Sequence, residues 1–144
     1  MTLLAVACLL GVGCGDGGPK LNRVSGKITF KGAPVPAGTV YIRPDTAQGN
    51  SGPAGIAYIK DGVYDTSSSG GKGSVSGPVV MSVDGLDPTP PPNAGPDVTV
   101  TSLFSSYETK AEIKAPETVH DIDVPPEAAQ VPSSGETTGG AIVP

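Results

Sequence analysis

A chain of 144 residues has room for one hydrophobic core and is too short for two of useful size. Its 21 Gly and 16 Pro make up about a quarter of the residues, which argues against a helical protein, and with no Trp, two Phe and four Tyr the core has to be built mainly from Val and Ile. Nine Lys and Arg against fourteen Asp and Glu give a formal charge of -5. The cations are scattered singly, so a nucleic-acid partner, which needs them clustered, is not expected.

From Leu3 to Gly13 the chain is apolar and uncharged, and after Cys14 it turns at once to Gly-Asp-Gly-Gly-Pro. As a helix those eleven residues would rise only ~16 Å, about half of a ~30 Å hydrocarbon core. The length is that of a signal-peptide apolar region, not of a membrane span. Small residues directly before a cysteine resemble the lipobox of bacterial lipoproteins, in which the cysteine becomes the lipidated first residue. Gly13 and Val12 fit their positions, and Gly11 stands where a leucine is usual. An ordinary cleaved signal and a buried strand are the other readings of the stretch. Cys8 lies inside the apolar run and would leave with it, so lipidation of Cys14 would leave no thiol for a disulfide or a metal. Several acyl chains, at ~0.8 kcal/mol per buried methylene, make a stable anchor where a single chain does not. Gly15 rather than Asp follows the cysteine, so in a cell with an outer membrane the protein is expected there, lipid-anchored in the envelope.

Beyond Leu21 the pattern becomes short β-type runs separated by Gly, Pro and Asp. Val24-Ser-Gly-Lys-Ile-Thr-Phe30 alternates, with Val24, Gly26, Ile28 and Phe30 on one face. Lys31-Gly-Ala-Pro34 makes a turn, and Thr39-Val-Tyr-Ile-Arg43 reads as the partner strand, with Val40 and Ile42 inward. Ala54–Ile59 is a further strand, and Asp61-Gly62 is a tight-turn signal that makes Val63–Thr66 its hairpin partner. Pro78–Val83 is expected to end at Asp84-Gly85. Residues 86–97, with Pro88, Pro90, Pro91, Pro92 and Pro96, form a stiff extended loop. Thr109–Lys114 and Val119–Val124 close the domain, and residues 126–144 have too little apolar surface to order themselves.

About seven short strands and no helical period after residue 20 predict an all-β antiparallel sandwich. The divisions are a signal peptide over 1–13, a lipidated cysteine and linker over 14–21, the sandwich over 22–125 and a disordered tail over 126–144. The predicted core is Val24, Ile28, Phe30, Val40, Ile42, Tyr64, Val83, Ile113, Ile122 and Val124. Val24 to Val40, then Lys60-Asp-Gly-Val-Tyr64, then Gly77 to Gly85, in that order, resemble the carboxypeptidase regulatory-like (transthyretin-like) domain. The resemblance covers residues 22–125, with Val79 or Val80 where the family carries a late tyrosine. It implies a transthyretin-like sandwich of the kind found in short envelope lipoproteins.

Catalytic chemistry finds little support. The single histidine, His120, alternates with Ile122 and Val124 and reads as a strand-edge residue, and no other base serves a serine triad. Gly73-Ser-Val-Ser-Gly77 has Val75 where an elbow nucleophile belongs. Gly70-Gly-Lys-Gly73 lacks phosphate-loop spacing. Asp121 with Asp123, Asp61 with Asp65 and Asp84 with Asp87 are too few for a calcium loop and read as turns and solvated faces. Tyr64 is the candidate core ring; Tyr41, Tyr58 and Tyr107 either pack or stack on a ligand. The sequence therefore predicts a non-enzymatic structural or binding module without a cofactor, with the membrane and an envelope protein or glycan as partners. The alternative is an accessory domain of a hydrolase system or a weak carbohydrate-binding module. Mass spectrometry of the native protein is expected to show a modified, N-terminal Cys14, and Cys14→Ser to release the protein from membranes; a mature protein that keeps Met1 would contradict the assignment.

Overall fold

The computed structural model describes residues 17–90, 92–93, 95–96 and 100–129. Cys14, the apolar run before it and the tail beyond Ala129 lie outside the described residues. The strands in chain order are β1 (Arg23–Phe30), β2 (Ala33–Pro34), β3 (Ala37–Pro44), β4 (Gly55–Lys60), β5 (Val63–Asp65), β6 (Gly77–Asp87), β7 (Thr101–Ile113), β8 (Glu117–Val119) and β9 (Ile122–Val124). Short 3-10 turns cover Thr46–Gln48 and Pro126–Ala128. Among the described residues the fold is all-β, with nine strands where the sequence suggested about seven.

The strands form one sheet in the order β2-β1-β5-β4-β3-β6-β7, and β8 and β9 both pair with β1. Neighbours along the main path are antiparallel, whereas β8 and β9 run parallel to β1. The sheet curls into a half-barrel, so that strands far apart in its order meet across the core. Phe30 of β1 and Phe104 of β7 touch, with ring centroids 5.0 Å apart. All ten residues of the predicted core are buried, together with Val35, Ala57, Ile59, Val79, Met81 and Phe104. Lys27, Arg43 and Glu112 are exposed, as the alternation requires, and Thr29 is half-buried.

The pairing of β1 with the strand around Thr39–Arg43 is not what forms. Two-residue turns with positive φ at both positions, Lys31-Gly32 and Asp61-Gly62, have the backbone of type I′ hairpins. The first returns the chain along β1 only to Val35, whose N–H donates to Ile28 O at 3.1 Å, because the Ile28 N–H that would continue the ladder donates to Gly62 O at 2.8 Å instead. The chain then crosses over the second turn: Gly62 N donates to Val35 O at 2.8 Å and Asp61 N to Pro36 O at 3.0 Å. This carries β3 past the β4–β5 hairpin, and it pairs with β4 and β6 instead.

Three boundaries also differ from expectation. Asp84-Gly85 does not end β6, which continues to Asp87 through a register shift. Gly85 is needed for space: a Cβ there would lie 2.4 Å from the Phe104 ring. β7 begins at Thr101 rather than Thr109, and Val119–Val124 is two short strands separated by His120 and Asp121. Past Val124 the described chain makes the 3-10 turn Pro126–Ala128, and Ala128 and Ala129 pack against the core. Truncation of a buried Phe to Ala costs about 3 to 5 kcal/mol, so Phe30→Ala is expected to destabilise or unfold the domain. Lys27→Ala is expected to change stability by less than about 0.5 kcal/mol. Denaturant melts giving equal effects would show the inward face to be wrongly assigned.

Candidate functional site

β5 is only three residues long, and its alternation divides the molecule into an inside and an outside. Tyr64 points inward and is 1% exposed. It lies in register with Gly26 on β1 and Ile59 on β4. Its hydroxyl donates to the carbonyl of His120 at 2.6 Å. That carbonyl passes so close to β1 that a Cβ on Gly26 would come within 2.1 Å of it. His120 N also donates to Ser25 O at 2.8 Å. The short link between β8 and β9 is thereby clamped onto β1 by backbone groups. Burial, with the charge of Asp121 adding to it, pushes the Tyr64 phenol above its ordinary range.

On the opposite face Val63 is 48% exposed, between Tyr58 at 50% and Val119 at 71%. Two adjoining hollows open there. One, of about 360 Å³, is lined by Tyr58, Lys60, Val63, Tyr64, Asp65, Ser68 and Ser69. The other, of about 460 Å³, is lined by Arg23, Ser25, Gly26, Lys27, Val63, Tyr64, Asp65, Val119 and Asp121. Val63, Tyr64 and Asp65 border both, so the two hollows lie side by side across β5 as one open trough with Val63 between them, the inward Tyr64 adding almost no surface of its own. The loop after β5 shapes one end of it. Gly70, with φ of 78°, comes so near the Tyr58 ring that a Cβ would lie 3.0 Å from it.

Charge is fixed at the middle of the trough. Arg23 donates to both carboxylate oxygens of Asp65 and, at 3.3 Å, to Glu117. Asp65 also accepts from Ser67 N at 2.8 Å and Ser67 Oγ at 2.7 Å. The Arg23 hydrogen bond, helped by those from Ser67, holds the Asp65 carboxyl well below the usual carboxylate range. The same contact raises the Arg23 guanidinium. At the far end Asp121 Oδ1 accepts from Lys27 N at 2.8 Å. Aromatic and aliphatic side chains with hydroxyls and fixed charges at their margin suit stacking and hydrogen bonding.

The other sequence candidates fall in different places. Tyr41 is exposed on the trough's side of the sheet, one diagonal step from Tyr58 because Thr39 pairs with Tyr58. Tyr107 packs partly against the core. Ser74 and Val75 are buried, and Ser74 exchanges backbone hydrogen bonds with Asn22, so the Gly73–Gly77 segment is a structural bridge. Lys72 bonds to Ile56 in the same manner. Asp123 accepts from Thr29 Oγ1, Asp84 from Ser106 N and Asp87 from Thr89 N. Among the described residues no three His, Cys, Asp or Glu side chains converge to hold a metal ion. The sequence reading did not single out Val63, Val119 or the Arg23–Asp65–Glu117 cluster. Val63 and Val119 were detectable as apolar residues at outward positions; the ion cluster joins residues far apart in the chain.

In comparisons with protein-family models, curated proteins and solved structures, nothing matches this chain.

Because the folded-state pKa of Asp65 lies below the ordinary ~3.9, the Arg23 contact stabilises the fold above that pH and loses its effect as pH falls toward the folded value. Both side chains are partly exposed, which keeps the effect small. Asp65→Asn is expected to lower the Tm at pH 7 by roughly 1–4 °C, with the gap to the native protein narrowing under acid. A gap that widened on acidification would contradict the assigned sign.

Proposed function

We propose that this protein is a cell-envelope lipoprotein anchored through Cys14, and that its domain is a non-enzymatic binding module of the carboxypeptidase regulatory-like sandwich type. The ligand is a glycan, held in the trough across β5, and binding needs no cofactor. The anchor reading rests on the apolar run that ends at Cys14 and the polar turn after it. The family reading rests on the ordered motifs, and the inward Tyr64 of the Asp61-Gly62 hairpin is compatible with it.

The observation that carries the ligand class is the half-exposed Tyr58 ring beside Ser68, Ser69, Lys60 and Asp65. A sugar presents C–H groups on one face and hydroxyls at its rim. A phenol ring can cover the first while hydroxyl, ammonium and carboxylate groups bond the second. A protein partner would be expected to bury a larger apolar centre than Val63 and Val119 supply.

Calorimetric titration of the mature protein with polysaccharides from the cell envelope is expected to show saturable binding. Tyr58→Ala is expected to weaken it about tenfold, the equivalent of ~1.4 kcal/mol. Tyr41→Ala, outside the trough, is expected to leave it unchanged. Binding that survives Tyr58→Ala at full strength would remove the trough from consideration.

A further inference from the structure

β7 is the last strand in the sheet order, and among the described residues it pairs only with β6. Its two halves differ. The register against β6 shifts around Val83–Leu86, and Ser106 takes a left-handed φ of 54° with its N–H on Asp84. The 3-10 turn Pro126–Ala128 lies at the same end, because it follows Val124, Val124 pairs with Phe30, and the Phe30 ring meets Phe104. Beyond that end, Tyr107–Ile113 runs in unbroken register with Val83–Gly77.

The outward positions of this regular half and the residue after it are Glu108, Lys110, Glu112 and Lys114, all exposed and alternating in sign. When two identical strands pair antiparallel about a twofold axis perpendicular to the sheet, the position of the axis decides which charges face each other. An axis at Lys110 would place Lys110 against Lys110 and Glu108 against Glu112. An axis at Ala111 places Lys110 against Glu112 of the second copy and Glu112 against its Lys110, so that both charged positions flanking the axis meet the opposite sign, while Glu108 faces the residue after the strand, Lys114, whose N–H and carbonyl are held by the Thr118 hydroxyl. Cross-strand pairs of opposite charge favour a register and like pairs oppose it. On the inner side the same axis brings two small Ala111 side chains together, with Thr109 opposite Ile113. Both Tyr107 and Ala111 already pack against the core, so this side is continuous with the apolar interior.

We propose that two copies of this chain associate through β7, antiparallel about an axis at Ala111, joining their sheets into one. Charge complementarity selects a second copy over an unrelated strand, since the pattern is complementary to itself in this register. Within one chain Glu108 binds Arg43 and Lys110 lies 3.5 Å from Asp45. The Lys110 side chain remains 72% exposed and the Glu108 side chain 54%, leaving both room for another partner. Glu112 and Lys114 have no ion pair among the described residues.

Sedimentation equilibrium of the full mature protein in detergent tests the pairing. The native protein is expected to form dimers, and Lys110→Glu or Glu112→Lys alone to weaken them about thirtyfold, because each change turns two favourable cross-strand pairs into repulsive ones. An equimolar mixture of the two variants is expected to recover dimers, as heterodimers, and so is the double variant K110E/E112K. The mixture cannot repair the contact between Lys110 and Asp45 inside one chain, so recovery reports pairing between chains. A native protein that stays monomeric, single variants that dimerise as tightly as the native protein, or a mixture that fails to recover would each overturn the proposal. None of these outcomes depends on glycan binding.

Discussion

The hydrogen bond from Tyr64 to the His120 carbonyl joins parts of the chain that nothing local brings together. β5 supplies the donor, the link between β8 and β9 supplies the acceptor, and β1 lies between them with a glycine where the carbonyl passes. Buried polar groups must be satisfied, so the phenol can lie in the core only if the 117–124 segment returns to β1. The same segment completes the ladders at both ends of β1, pairing Arg23–Ser25 with β8 and Ile28–Phe30 with β9. The inward burial of one tyrosine thus places Val119 and Asp121 where they border the outer trough.

The trough is a by-product of strand length. A strand of three residues between longer ones leaves hollows above and below its one outward apolar side chain, and Val63 stands between them. The neighbouring ion cluster keeps its charges at fixed places because Arg23 is held by two acids and Asp65 by both Arg23 and Ser67. Such preorganised polar groups lose less conformational freedom on binding than free side chains would.

Much of the inward face could be read from the sequence because it depends on an alternation that each strand carries by itself. Val24, Ile28 and Phe30 are one such set, and Val40 with Ile42 another. The two hairpin turns were equally local, since Lys31-Gly32 and Asp61-Gly62 fix their own backbone. What could not be read depends on distant partners. The extension of β6 through Gly85 makes sense only beside the Phe104 ring, and the start of β7 is hidden by the run Ser102-Leu-Phe-Ser-Ser106, which does not alternate cleanly. The parallel attachment of β8 and β9 has no local signal at all. For the same reason the trough was only half visible: Tyr58 was a candidate, while the opposition of Arg23 to Asp65 and Glu117 awaited the pairing of β1 with β5 and β8.

That parallel attachment also sets the order in which the molecule can be completed. The side chains and amides of β1 meet partners 94 residues later in the chain: Arg23 with Glu117, Lys27 with Asp121 and Thr29 with Asp123. Closing so long a loop costs chain entropy before any contact repays it, and topologies dominated by such contacts fold slowly. Of the described strands, a nascent chain therefore presents β1 first and finishes it last. Until residue 124 has been made, the side of β1 that β8 and β9 cover lacks those two partners.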